Sequence, residues 1–156
     1  MYVPPLHSLL RELDVPLDAF QKSDTIPIPV SLFRFLLQTA LANAEFNQDG
    51  YLAANADIAS GIKSGTVDDA HLHYIGFGYF EGRKGGLPAV DEQWYLSTYK
   101  DVAEAVKVGR VTSAADHFEM IGAAEGRSPT QNHTHIAEHW RRLFTAAAAS
   151  DSIAEL

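Results

Sequence analysis

The sequence predicts an all-α protein: a compact domain of short helices around a duplicated three-helix unit, capped by N- and C-terminal amphipathic helices. Three observations lead there. Residues 51–83 (YLAANADIASGIKSGTVDDAHLHYIGFGYFEGR) align without a gap onto residues 95–127 (YLSTYKDVAEAVKVGRVTSAADHFEMIGAAEGR), at a constant offset of 44 and with 13 of 33 positions identical. Apolar residues in both copies recur at helical spacing. Pro, Gly and Asp stand where helices start and stop.

Taken in order, Leu6, Leu9, Leu10 and Leu13 share one face of a first helix, with Pro4-Pro5 suited to its start and Pro16 to its stop. Ile26-Pro27-Ile28-Pro29 is extended, because each proline biases its predecessor away from the helical region. Ser31 then caps a helix running to about Phe46. Its polar residues, Ser31, Arg34, Gln38 and Glu45, form only a narrow stripe. Its apolar remainder predicts a helix packed on both sides, or half of an oligomer interface.

Each copy of the repeat reads as three short helices. The first carries Tyr51, Leu52 and Asn55, or Tyr95, Leu96 and Tyr99, with Asp91 as N-cap of the second copy's version. Asp57 and Asp101 sit where the second helix begins, as capping carboxylates. That helix presents Ile58 and Ile62, or Val102 and Val106, and stops at a left-handed Gly65 or Gly109. The third aligns Val67, Ala70, Tyr74 and Phe77 with Val111, Ala114, Phe118 and Ile121 as one apolar stripe, ended by Gly78 or Gly122. Ile136, Trp140, Leu143, Phe144 and Ala147 define a last amphipathic helix. The expected organisation is a single helical domain, 1–156: N-terminal helices over 1–45, the copies over 46–88 and 89–129, and the C-terminal helix over 130–150.

A net charge of −8 with scattered Lys and Arg argues against nucleic acid, which needs clustered cations. The absence of cysteine excludes disulfides, thiolate catalysis and thiolate zinc sites. The most apolar stretch, Val30 to Ala42, is too short to span a bilayer and is interrupted by Arg34 and Gln38, so the chain is not expected to be membrane-spanning. The first residues lack the basic start and apolar run of a signal peptide. A cytoplasmic location is expected, with secretion lacking an N-terminal signal peptide as the alternative.

The string Trp94-Tyr95-Leu96, Asp101-Val102, His117-Phe118, Glu125-Gly126-Arg127 resembles a short repeat of bacterial surface-polysaccharide biosynthesis proteins, often appended to glycosyltransferases and also present in some large secreted bacterial proteins. The first copy departs from that pattern, with Gly50 in place of the Trp and Ala56 in place of a Pro. The resemblance covers Phe46 to Pro129 and implies a setting in bacterial glycan assembly. It implies no activity.

Several polar groups bear on function. Glu81-Gly82-Arg83 and Glu125-Gly126-Arg127 are either twin sites for a sugar or acidic group, or turns whose Glu and Arg are tied to the backbone or to the capping Asp of the same unit; the second is expected. His73 and His117 fall at the edge of the apolar stripe, where a packed, hydrogen-bonded role is expected over catalysis. His133, His135 and His139 invite a metal, but no HExxH is present and Arg142 shares the face, so neither metal nor other cofactor is expected. Phe46 to Tyr51 faintly resembles a calcium loop, yet Ala56 stands where its bidentate Glu belongs. Leu72 projects away from its helix's apolar stripe; coverage by the N-terminal helices is expected, the alternative being a partner surface.

These readings favour a non-catalytic protein-interaction or scaffolding module. The partner is expected to be a protein, such as a glycosyltransferase or polysaccharide-assembly component, or a second copy in a homo-oligomer. The alternative is a carbohydrate-binding module using Trp94, Tyr95, Tyr99 and the two Glu-Gly-Arg turns. A further alternative is a small enzyme using the repeated His.

Overall fold

The structure, a computed structural model, describes residues 3–23 and 25–154, with residues 147–154 described by their backbone alone. It is all-α, with ten α-helices and no strand among the described residues. The chain divides into two compact units, Met1–Ala40 and Leu41–Leu156.

The first unit holds α1 (Leu6–Glu12), α2 (Leu17–Lys22) and α3 (Val30–Leu41), whose last residue belongs to the second unit. Pro5 is the N-cap residue of α1. The helix closes on a left-handed Asp14 (φ 53°), with the N–H of Val15 on the Leu10 carbonyl and that of Asp14 on the Arg11 carbonyl. This is the paired closure of a Schellman motif. Pro16 does more than stop α1, because it is also the N-cap residue of α2. Residues 25–29 are non-helical, as their prolines require.

Two expectations for α3 are corrected. It begins at Val30, with the Pro29 carbonyl accepting the N–H of Phe33, so Ser31 lies inside the helix and does not cap it. It ends at Leu41, because Phe46 is drawn into the core of the first repeat copy. No residue of α3 is fully buried, and Phe33, Phe35 and Leu36 are about half exposed. A unit of about 40 residues has too little material to cover such a helix on every side.

In the second unit the helix bounds recur at the offset of 44, to within one residue. The first copy has α4 (Gln48–Ala54), α5 (Ala56–Ser64) and α6 (Ala70–His73), which runs into a π-helical turn over Tyr74–Gly78. The second has α7 (Glu92–Thr98), α8 (Lys100–Lys107) and α9 (Ala114–His117), which runs into a π-helical turn over Phe118–Gly122. A short 3₁₀ turn, Gln131–His133, leads into α10 (Thr134–Ala154).

Local chemistry explains the boundaries. Asn47 and Asp91 cap α4 and α7, each side chain accepting a backbone N–H at 3.0 Å, from Gly50 and Trp94 respectively. Asp69 and Ser113 cap α6 and α9 in the same way. Asp57 and Asp101 are not caps, contrary to expectation. The N-cap residues are Asn55 and Tyr99, and the two carboxylates lie in the first turn, where the helix dipole favours them. Gly65 and Gly109 adopt the left-handed conformation expected of them.

Each copy has its own core: Tyr51, Ile58, Ala70 and Tyr74 in one, and Tyr95, Val102, Ala114 and Phe118 in the other. These are the same four positions at the offset of 44. Phe77 and Ile121, expected to continue the stripe, are instead largely exposed. The π turn is the reason. An i→i+5 turn rotates the residues after it away from the 3.6-residue stripe, and it buries Gly78 and Gly122 in their place. A methyl group on either glycine would fall on the hydroxyl of Tyr51 or Tyr95. No residue but glycine fits there.

Candidate functional site

The Glu-Gly-Arg segments are helix endings. The N–H of Gly82 bonds to the Tyr79 carbonyl and that of Arg83 to the Gly78 carbonyl; Gly126 and Arg127 bond likewise to Ala123 and Gly122. Both glycines have left-handed φ, 68° and 70°. This Schellman closure ends the turn that follows each π-helical stretch, with the Glu just before the left-handed Gly and the Arg just after it.

The arginines return to the start of the second helix. Arg127 makes two bonds to Asp101, from Nη1 at 3.0 Å and Nη2 at 2.7 Å, and a third from Nε to Glu125 at 2.6 Å. Arg83 uses Nη1 alone on Asp57, at 2.8 and 3.0 Å, and Nε on Glu81 at 2.7 Å. Hydrogen bonding to Arg127 holds the Asp101 carboxyl below its ordinary range, and Arg83 does the same to Asp57. With two carboxylates on each guanidinium, these arginines are occupied within their own copy.

The repeated histidines are also engaged. His73 Nδ1 lies 3.0 Å from the Tyr51 hydroxyl and His117 Nδ1 lies 3.1 Å from that of Tyr95. Burial pushes the Tyr95 hydroxyl up to about 12. Tyr95, a sequence candidate for sugar contact, is fully buried and serves the core instead. His133 bonds to Thr130 and, through Nε2 at 2.9 Å, to Glu45, which sets it apart from His135 and His139. Among the described residues, no three His, Asp or Glu side chains gather as metal ligands.

Four of the sequence candidates do come together. Trp94, Tyr99, Glu125 and Arg127 line a cleft of about 480 Å³ between the end of α7, the second Glu-Gly-Arg turn and one face of α10. Trp94 and Tyr99 meet edge to face, 6.0 Å between centroids, and the Arg127 guanidinium lies 5.1 Å over the Tyr99 ring. From α10 come residues that sequence reading did not single out, chiefly Thr134, Ala137 and Arg141. Their signal was present in the helical period, since the three share a face of α10 away from its aromatic stripe.

The remaining candidates lie apart. Glu81 and Arg83 close the first copy, where Gly50 and Asn55 replace the two aromatics. Leu72, expected to be covered, is 65% exposed on α6.

The second unit also presents an apolar surface. Ile136, Trp140, Leu143 and Phe144 form the stripe expected of the last helix, yet each is about half exposed. The rings of Trp140 and Phe144 stack at 5.7 Å. The buried side of α10 is instead Ala137, with Arg141 packed on Gly126 nearby. Within the first unit, Leu6, Leu10, Phe20, Ile28 and Leu36 contribute to a groove of about 260 Å³ lined almost entirely by apolar side chains. Among the described residues no helix is long and apolar enough to cross a membrane.

Compared with protein-family models, curated proteins and solved structures, the chain matches none.

Proposed function

We propose that the chain is a non-catalytic protein-interaction module whose principal contact surface is the apolar stripe of α10. The observation that carries this is the run Ile136, Trp140, Leu143 and Phe144, four large apolar side chains on one face of one helix, all about half exposed. A contiguous patch of this kind is uncommon on a lone domain in water and is characteristic of a surface awaiting a partner. Spacing of i, i+4, i+7 and i+8 suits the apolar face of a second helix. Stacked aromatics supply the rigid anchors on which interface energy concentrates.

The groove in the first unit supports the same reading, as a second apolar surface. The repeated His and Glu-Gly-Arg groups support a structural role over catalysis, because each is held by a partner within its own copy. The resemblance to repeats of surface-polysaccharide proteins names the partner to try first: a glycosyltransferase or another polysaccharide-assembly component, met in the cytoplasm. A second copy of this chain is the competing occupant.

The test is the double substitution Trp140→Asp with Phe144→Asp. Both side chains are half exposed, so the helix should still form and circular dichroism should be unchanged. Affinity capture with the native chain should recover a glycosyltransferase or another polysaccharide-assembly protein, and the variant should not. Light scattering decides the homo-oligomer: a dimer that reverts to monomer in the variant assigns the stripe to self-association. Wild-type affinity and mass in the variant would refute the stripe as an interface.

A further inference from the structure

We propose that the cleft between α7 and α10 is a binding site for an acidic saccharide, with Trp94 as its aromatic wall and Arg141 as its carboxylate-binding group. At about 480 Å³ it has the size of a small-ligand site. Its lining is neither apolar, as a helix-docking groove would be, nor uniformly charged. An indole stands with the hydroxyls of Thr98 and Thr134, the guanidinium groups of Arg127 and Arg141, and the carboxylates of Glu125 and Glu138. A pyranose ring matches that mixture, having C–H groups for an aromatic surface and a rim of hydroxyls for polar side chains.

The two copies of the repeat differ where the cleft is built. Positions that fold the unit are retained: Tyr51 and Tyr95, His73 and His117, Gly78 and Gly122, and both Glu-Gly-Arg turns. Where the second copy has Trp94, Thr98 and Tyr99, the first has Gly50, Ala54 and Asn55. A side chain at Gly50 would meet the Gly85 carbonyl at 2.9 Å, so the first copy has no room for an aromatic wall. Trp94 packs in part against the core of its own copy, and with the rest of its surface it lines the cleft beside the exposed Thr98.

Among the described residues the charged groups of the cleft then separate into those in use and one without an ion-pair partner. Arg127 is taken by Asp101 and Glu125, and Glu138 lies 3.6 Å from Arg142. Arg141 has no side-chain hydrogen bond or ion pair among the described residues, and its stem is packed on Gly126. A stem resting on Gly126 at its Cβ and Cγ, beneath a guanidinium unpaired among the described residues, is suited to a carboxylate, which it can grip through two parallel bonds. A hexuronate joins that carboxylate to a pyranose ring. The cleft lies on a different face of α10 from the apolar stripe, so this site does not depend on the protein-interaction reading.

The experiment is a titration of the full chain, labelled with ¹⁵N, using D-glucuronate and, separately, D-glucose. Trp94 and Trp140 supply two indole N–H signals, assigned with Trp140→Phe. D-glucuronate should shift the Trp94 signal saturably in the millimolar range and leave that of Trp140 in place. D-glucose should bind more weakly. Arg141→Ala should weaken D-glucuronate about tenfold or more, the usual consequence of losing a hydrogen-bonded charge, and bring it level with D-glucose. Thr98→Phe, which fills the cleft from an exposed position, should abolish both shifts. Melting curves of both variants check that the fold is intact. No shift of Trp94 by either sugar at tens of millimolar overturns the site. Equal shifts by the two sugars, untouched by Arg141→Ala, overturn its acidic specificity.

Discussion

The Tyr99 hydroxyl accepts the backbone N–H of Ser128 at 2.8 Å, and so ties the start of α8 to the strand of chain leaving the second Glu-Gly-Arg turn. The equivalent pair in the first copy is Asn55 and Lys84, where the bond runs the other way: the Asn55 amide donates to the Lys84 carbonyl at 2.9 Å. Two different side chains close the same loop with opposite hydrogen-bond polarity. Tyr99→Phe keeps the ring and removes only the acceptor. Ser128 is buried, so its N–H would be left unpaired, at a cost of about 1–3 kcal/mol. Urea unfolding of the variant measures this. A loss under a few tenths would show that water satisfies Ser128 as well as Tyr99 does.

Arg127→Ala should destabilise the second copy by about 1–2 kcal/mol, more than an ordinary surface ion pair would. The guanidinium is mostly shielded, makes bonds to two carboxylates, and covers the Tyr99 ring. Arg127→Lys retains charge without the planar fork, so it should recover less than half of the loss. Full recovery by Lys would mean that charge alone matters at this position.

Much of this fold could be read locally, and what escaped was non-local or depended on a departure from regular helix. Asp91, Gly65 and Gly109 are correctly placed by sequence because capping chemistry is decided within a few residues. Asp57 and Asp101 were misplaced as caps because their helices begin two residues earlier, at the N-cap residues Asn55 and Tyr99, whereas their expected tie to Arg83 and Arg127 is present. Phe77 and Ile121 were misplaced because a fixed 3.6-residue period does not allow for a π turn. The signal for that turn was Gly78 and Gly122, identical between copies and sitting inside an otherwise apolar helix. The cleft was half visible: Trp94 and Tyr99 stood out as departures from the first copy, while Arg141 reaches it only through the docking of α10.

Stability should fall at both ends of the pH range, for separate reasons. Burial pushes the hydroxyls of Tyr74 and Tyr95 up to about 12, from an ordinary value of 10.0. The unfolded chain therefore releases these protons first. Stability is complete below pH 10, declines as pH rises, and that contribution is gone above about pH 12. At the acid end Asp101 is held below its ordinary 3.8 by its bonds to Arg127. Its contribution is present above that value and is lost as pH falls beneath it, and it is small because the carboxylate is exposed. Melting temperature against pH measures both limbs, and tyrosine absorbance near the alkaline transition identifies the first. Ionisation of all six tyrosines near pH 10 without unfolding would contradict the burial of these rings.

The close approach of Gly122 to Tyr95 makes the sharpest test of the fold, because it predicts a coupling and not only a loss. A methyl group at position 122 would fall on the Tyr95 hydroxyl, with His117 Nδ1 only 3.2 Å away. Gly122→Ala should therefore cost about 1–3 kcal/mol by overpacking. Tyr95→Phe should cost about 1 kcal/mol, since it removes the hydroxyl paired with His117 inside the core. In the double variant the methyl occupies space the hydroxyl has vacated, so the two losses should not add. An interaction of about 1 kcal/mol or more in the favourable direction is expected for residues in contact. Gly78→Ala with Tyr51→Phe should behave alike, because the same approach recurs in the first copy, where the Tyr51 hydroxyl is bonded to His73. Additivity within about 0.5 kcal/mol in both copies would mean that the glycines are not packed on the tyrosines. The π turns that bring them there would then be wrong, and with them the placement of both Glu-Gly-Arg endings.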